Sequence, residues 1–145
     1  MSATSEKSMA IGEVSEQTGL SAHTLRFYEQ QGLLVESVRR DSAGRRTFSE
    51  QEVGWLRVCA RLRDSDMPLP DIRRYAELVR QGEETVAERF ELLRGHQARV
   101  RQRMAELQQS LDVIDFKVGL YEDHLDAGSA DTLWRDGPEC APNTY

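Results

Sequence analysis

Apolar residues fall along this 145-residue chain in two regimes that meet near residue 82. Before that point they come in short bursts, each bounded by a cap, a glycine or a proline. Ile11 and Val14 give a short helix an apolar face, and Gly19 stands where a left-handed residue closes it. Ser21 can cap a second helix by accepting a bond from an orphan N–H. Leu25 faces inward there, and Gly32 ends the helix before Leu33 and Leu34 return to the core. Met9 to Ile11 is expected as a short strand ahead of the pair. Two short helices joined by a tight turn make a helix-turn-helix pattern. The second helix carries His23, Thr24, Arg26, Phe27 and Tyr28, residue types that reach base edges or phosphates. The same pattern also fits an ordinary helical hairpin.

Val35 to Phe48 reads as a β-hairpin, with turn chemistry at Asp41 to Gly44 and strand-favouring Val38, Thr47 and Phe48. Arg39, Arg40, Arg45 and Arg46 cluster on it, opposed only by Asp41. Beside a helix-turn-helix, such a wing would bind phosphates, giving affinity and orientation without sequence choice. Ser49 to Glu52 spells a capping box for a third helix that runs to about Asp66, buried through Val53, Leu56, Cys59 or Ala60, and Leu62. Met67 to Pro70 breaks it. Pro70 and Asp71 suit the first turn of a fourth helix, amphipathic through Ile72, Tyr75, Ala76 and Val79, and Gln81-Gly82 ends it.

The second regime runs from Glu83 to Asp126. Val86, Phe90, Leu93, Gln97, Val100, Met104, Leu107, Leu111, Ile114, Val118, Tyr121 and Leu125 alternate in steps of four and three without a slip. Sustained heptads predict a coiled coil. At ~1.5 Å per residue the helix would span about 66 Å, too long for the rest of the chain to cover, so a second copy is the expected partner. The flanking row Ala87, Arg94, Arg101, Gln108, Asp115, Glu122 is basic at one end and acidic at the other. Antiparallel pairing centred on Gln108 sets Arg94 against Glu122 and Arg101 against Asp115, whereas parallel pairing brings Arg89 near Arg94. Each surface pair gives only ~0–1 kcal/mol, but the choice follows the difference. With Leu111 opposite the second copy's Leu107, the amide of Gln97 faces Tyr121. A slip of one heptad would put it against Ile114.

Hydrophobic content of 39% and charged content of 30% fit a chain with a modest core and much exposed helix. No apolar run approaches the ~18 residues of a membrane span, and no signal-peptide pattern is present, so a cytoplasmic protein without membrane partners is expected. The net charge of −6 argues against a generally sticky nucleic-acid binder. It is unevenly placed: residues 1–81 hold 12 basic and 12 acidic side chains, and residues 82–145 hold 7 and 13. A local basic edge on a neutral domain is compatible with site-specific binding. Cys59 and Cys140 make no disulfide framework, and Cys59 is expected in the core. His96 and His124, at g positions of the heptad, are expected as exposed polar residues. No catalytic cluster and no phosphate loop is found, so no enzyme activity, cofactor or metal is expected.

Ile11 to Val14, Thr24-Leu25-Arg26-Phe27-Tyr28-Glu29, Gly32-Leu33-Leu34 and Gly44-Arg45-Arg46-Thr47-Phe48, in this order, resemble the start of the MerR family of bacterial transcription regulators. Several motifs in order are more specific than one. The family's wing usually reads Gly-Tyr-Arg-x-Tyr, and here Arg45 and Phe48 replace the two tyrosines. Glu84 to Arg89, with Asp115-Phe116-Lys117 and Tyr121, looks like the branch that answers aldehydes and other electrophiles. The position of that branch's third-helix cysteine falls at Arg61. The paired cysteines of metal-sensing members have no counterpart beside Cys140.

The resemblance implies a mainly α protein: a winged helix-turn-helix DNA-binding domain at 9–81 and a long dimerising antiparallel coiled-coil helix at 83–126; residues 127–145, small, polar and turn-rich, read as a flexible tail. It implies a homodimer on double-stranded DNA at a palindromic promoter operator. RNA polymerase is engaged indirectly, through distortion of a promoter with an overlong spacer. The rival expectation is a coiled-coil interaction protein whose basic hairpin binds an acidic protein partner.

Overall fold

The computed structural model describes residues 7–127 and Trp134. Strand β1 (Met9–Ala10) leads into helices α1 (Ile11–Thr18) and α2 (Ala22–Gln30), then strands β2 (Arg39–Arg40) and β3 (Arg46–Phe48). Helices α3 (Glu50–Asp64) and α4 (Leu69–Gln81) follow, then a 3₁₀ turn at Glu83–Thr85 and helix α5 (Val86–Ala127). The described residues fall into two compact units divided between His96 and Gln97.

In the first unit the local signals do what their chemistry dictates. Gly19 takes a φ of 73° and its N–H donates to Ser15 O, closing α1. The Ser21 hydroxyl accepts from Thr24 N at 3.1 Å and caps α2. At α3, Ser49 Oγ accepts from Glu52 N and Glu52 Oε2 accepts from Ser49 N, so two orphan donors are satisfied reciprocally. Helix α3 ends at Asp64, short of Asp66. The Ser65 hydroxyl donates back to the Arg61 and Leu62 carbonyls there, and Asp66 turns the chain at a φ of 62°, which a short polar side chain tolerates.

The three strands form an antiparallel sheet in the order β1-β3-β2, with Met9 opposite Phe48 and Arg39 opposite Thr47. This pairing fastens the hairpin to the start of α1. The core lies among α1–α4, with Val14, Leu25, Leu33, Leu56, Cys59, Met67 and Ile72 buried together. Trp55 Nε1 donates to Leu33 O at 2.7 Å and its ring lies 5.1 Å from that of Tyr75. Arg73 Nε donates to Gln31 O at 2.7 Å, and Arg80 Nη1 to Leu34 O at 2.6 Å, tying α4 to the segment after α2. Leu78, outside the expected apolar face of α4, is also buried. The 3₁₀ turn folds back beside it, and Thr85 Oγ1 donates to the Leu78 carbonyl.

His96 corrects the expectation of an exposed residue: it is 6% exposed and its Nε2 shares a 2.7 Å hydrogen bond with Ser65 Oγ. One turn earlier on α5, Leu92 packs against the first unit's core, so the same side of the helix is covered at His96. His124 is half-buried, with its Nδ1 2.9 Å from the Leu120 carbonyl.

The second unit is the rest of α5. Its heptad row stands in solvent: Met104, Leu107, Leu111, Ile114, Val118 and Tyr121 are 44–71% exposed. The tail from residue 128 lies outside the described residues except for Trp134, which is exposed, and so does Cys140.

Candidate nucleic-acid interface

Helix α2 has two faces. Leu25 and Tyr28, three residues apart, point inward and are buried. His23, Arg26, Phe27 and Gln30 recur at steps of three and four on the opposite face, and all are exposed. Thr24 is half-buried, and its hydroxyl lies 2.9 Å from Ser21 Oγ, so it serves the cap.

Tyr28 is therefore a correction to the expected set. It is 4% exposed, and burial pushes its phenol above the ordinary tyrosine value. Its residue type fits a DNA contact, but its spacing from Leu25 assigns it to the core. The same period adds Gln30, four residues after Arg26, to the outward row. Residue type had passed over it, although amides pair well with adenine edges.

The turn of the wing is built around Asp41. Asp41 Oδ1 accepts the N–H groups of Ala43 and Arg45, both at 2.9 Å, and Oδ2 accepts Arg45 Nε at 3.2 Å. The backbone N–H of Arg45 is the chief reason that the Asp41 carboxyl sits below its ordinary value, with the Ala43 N–H and the Arg45 charge adding to it. Gly44 holds the φ of 78° that the turn demands.

The four arginines are not equivalent. The Arg45 side chain is 78% exposed even while paired with Asp41. Arg40 is exposed, and its Nη1 donates to Gly44 O at 2.8 Å. Arg39 is 60% exposed, with Nη2 4.0 Å from Glu52 Oε1. Arg46 differs from the expected free phosphate ligand: its Nε donates to Glu29 Oε2 at 2.7 Å and its side chain is 25% exposed. Glu29 belongs to α2, so this bridge fixes the wing relative to the helix beside it. The α2 row and the wing cations together offer donors suited to base edges and phosphates.

Cys59 is fully buried, and burial pushes its thiol up to about 12. It stays protonated at neutral pH and lacks the thiolate that redox or electrophile chemistry requires.

Residues 9–78 match the family described as MerR HTH family regulatory protein, and residues 53–115 match MerR, DNA binding. A protein of Haemophilus influenzae described as an uncharacterized HTH-type transcriptional regulator is 37% identical over 117 residues, 81% of this chain and 86% of that one. The transcriptional regulator AdhR of Bacillus subtilis is 35% identical over 98 residues, 68% of this chain and 66% of its own. The fold is similar to the crystal structure of HiNmlR, a MerR family regulator lacking the sensor domain, bound to promoter DNA. That likeness has a TM-score of 0.79 at 34% identity and covers 88% of this chain and 96% of that one. With its helix-turn-helix, paired hairpin and long final helix matched over these lengths, the chain belongs to the MerR family of DNA-binding transcription regulators and is not an enzyme.

Proposed function

We propose that the protein acts as a homodimer that sets one α2 helix of each subunit in the major groove of a palindromic promoter operator. His23, Arg26, Phe27 and Gln30 face the bases there. Arg39, Arg40 and Arg45 lie along the phosphates, and Arg46 acts as a positioning residue through Glu29. The domain of residues 9–81 binds DNA, and residues 83–126 pair antiparallel with a second copy. Two-fold symmetry of the protein then matches two-fold symmetry of the operator. The regulatory step is distortion of the promoter so that RNA polymerase can use it, which costs about 1–6 kcal/mol and is met by the phosphate contacts. DNA work of this kind belongs in the cytoplasm.

The observation that carries this reading is the exposed row on α2 beside a wing anchored to the same helix. Gel shifts on the chain's own upstream DNA, across a range of salt, test it. Arg26→Ala should cost roughly 1–3 kcal/mol on the operator and little on unrelated DNA. Arg45→Ala should weaken binding to all sequences and lower the salt slope by about 1. Unchanged operator affinity in Arg26→Ala, or an Arg45→Ala loss confined to one sequence, contradicts the assigned roles.

A further inference from the structure

A cavity of about 200 Å³ opens behind the wing, lined on its apolar side by Leu34, Val35, Phe48, Trp55 and Val79. Its polar side holds Glu36, Gln51 and Glu52. Glu52 commits Oε2 to the N–H of Ser49 in the capping box. Its Oε1 is buried without a hydrogen-bond partner, and its side chain is only 11% exposed. The Arg39 guanidinium stands 4.0 Å from that oxygen, beyond hydrogen-bond reach. Burial is the main cause of the raised Glu52 carboxyl, and the neighbouring Glu36 carboxyl, within hydrogen-bonding reach, raises it further. Glu36 itself is exposed and can move aside.

Two carboxyls therefore converge at one end of an apolar hollow, and one of their oxygens lacks a donor. An anion is repelled there, and a neutral apolar molecule leaves Glu52 Oε1 unmatched. An ammonium supplies up to three donors, including the one that Glu52 Oε1 lacks. It also brings a second positive charge to two carboxyls that share the Arg39 guanidinium as nearby cation, and Trp55 and Phe48 offer ring surface to an apolar body. Drug-sized sites run to about 300–1,000 Å³, so the occupant is smaller than that class.

We propose that this cavity binds a small primary amine with an aromatic body, its ammonium between Glu36 and Glu52 and its ring among Trp55, Phe48 and Val79. Phe48 lies on β3 and Glu36 just ahead of β2, so the bound amine would touch the hairpin assigned to the DNA backbone. The binding claim stands on the cavity and does not depend on the DNA reading.

The test uses the full chain with Trp134→Phe, which leaves Trp55 as its tryptophan emitter. Trp55 fluorescence is titrated with 2-phenylethylamine and, as the neutral match, with 2-phenylethanol. The amine should give a saturable change, with the alcohol binding about tenfold or more weakly, the scale of one charge-assisted contact. Glu36→Gln, at an exposed position, should abolish that preference. Glu52→Gln should do the same while keeping the capping box, because glutamine can also reach back to Ser49. Equal response to amine and alcohol, an undiminished preference in both variants, or no saturable change with the amine, as for a cavity covered by a second copy, overturns the proposal.

Discussion

The two units spend the same kind of apolar residue in opposite ways. In the first, Val14, Leu56 and Ile72 are completely withdrawn from solvent by α1, α3 and α4 of their own chain. In the second, Leu107 is 71% and Met104 64% exposed, although their spacing is more regular than anything before residue 82. Regular spacing specifies which face is apolar but does not supply the surface that covers it. Short helices broken by Gly19, Pro68 and Gly82 can fold back onto one another, whereas an unbroken 42-residue helix cannot. A continuous exposed apolar row of this length marks an interaction surface. The heptad period selects another helix of the same period as its cover.

The largest effect follows from breaking the second region alone. Leu107→Lys with Leu111→Lys should drive the dimer to monomer in sedimentation experiments. Burying each leucine contributes about 1.5–3 kcal/mol, so the dissociation constant should rise roughly a thousandfold or more. The residues of α1–α4 should retain their hydrogen-exchange protection. A variant that stays dimeric would mean that the heptad row is not the interface.

Breaking the first region alone should give a smaller loss of a different kind. Cys59→Ser places a hydroxyl in the apolar core and should destabilise the unit by about 1–3 kcal/mol, read by chemical denaturation. A variant as stable as the parent would show that Cys59 has a polar neighbour able to serve the hydroxyl.

The smallest effect concerns Glu52, whose carboxyl is raised mainly by burial. A group held above its unfolded value binds protons more tightly in the folded state. Ionised Glu52 therefore costs stability at neutral pH, and that cost fades as pH falls through the raised value. Glu52→Gln removes this dependence. The parent should gain on the variant by under about 1 kcal/mol between pH 7 and pH 4 in paired thermal melts. A gap that widens in the variant's favour would reverse the sign.

Local signals made much of this architecture legible. Gly19, Ser21 and the Ser49–Glu52 box act within four residues of themselves, and each stands where its chemistry required. The heptad row was equally plain because it repeats. Features that depend on distant neighbours were hidden. Leu78 is buried, and its carbonyl accepts from Thr85, which reaches back from an irregular turn. His96 finds Ser65 across 31 residues, and Arg46 finds Glu29 across 17. Tyr28 is a different case, because its three-residue spacing from Leu25 was visible while its residue type pointed to DNA. In the candidate site, period ranks above residue type: it removes Tyr28 and adds Gln30.

The central claim is that a second copy, running antiparallel, covers the exposed row of α5, with Gln97 facing the tyrosine at position 121. Oxidative crosslinking tests it most directly, in a background of Cys59→Ala and Cys140→Ser. Gln97→Cys with Tyr121→Cys should yield abundant intersubunit crosslinks, and Gln97→Cys with Ile114→Cys few. Gln97→Cys alone should yield almost none, because in this arrangement the two copies of residue 97 lie far apart. Efficient crosslinking of Gln97→Cys to itself would establish a parallel pair and contradict the account. A preference for Ile114→Cys would keep the antiparallel pair but move it by one heptad.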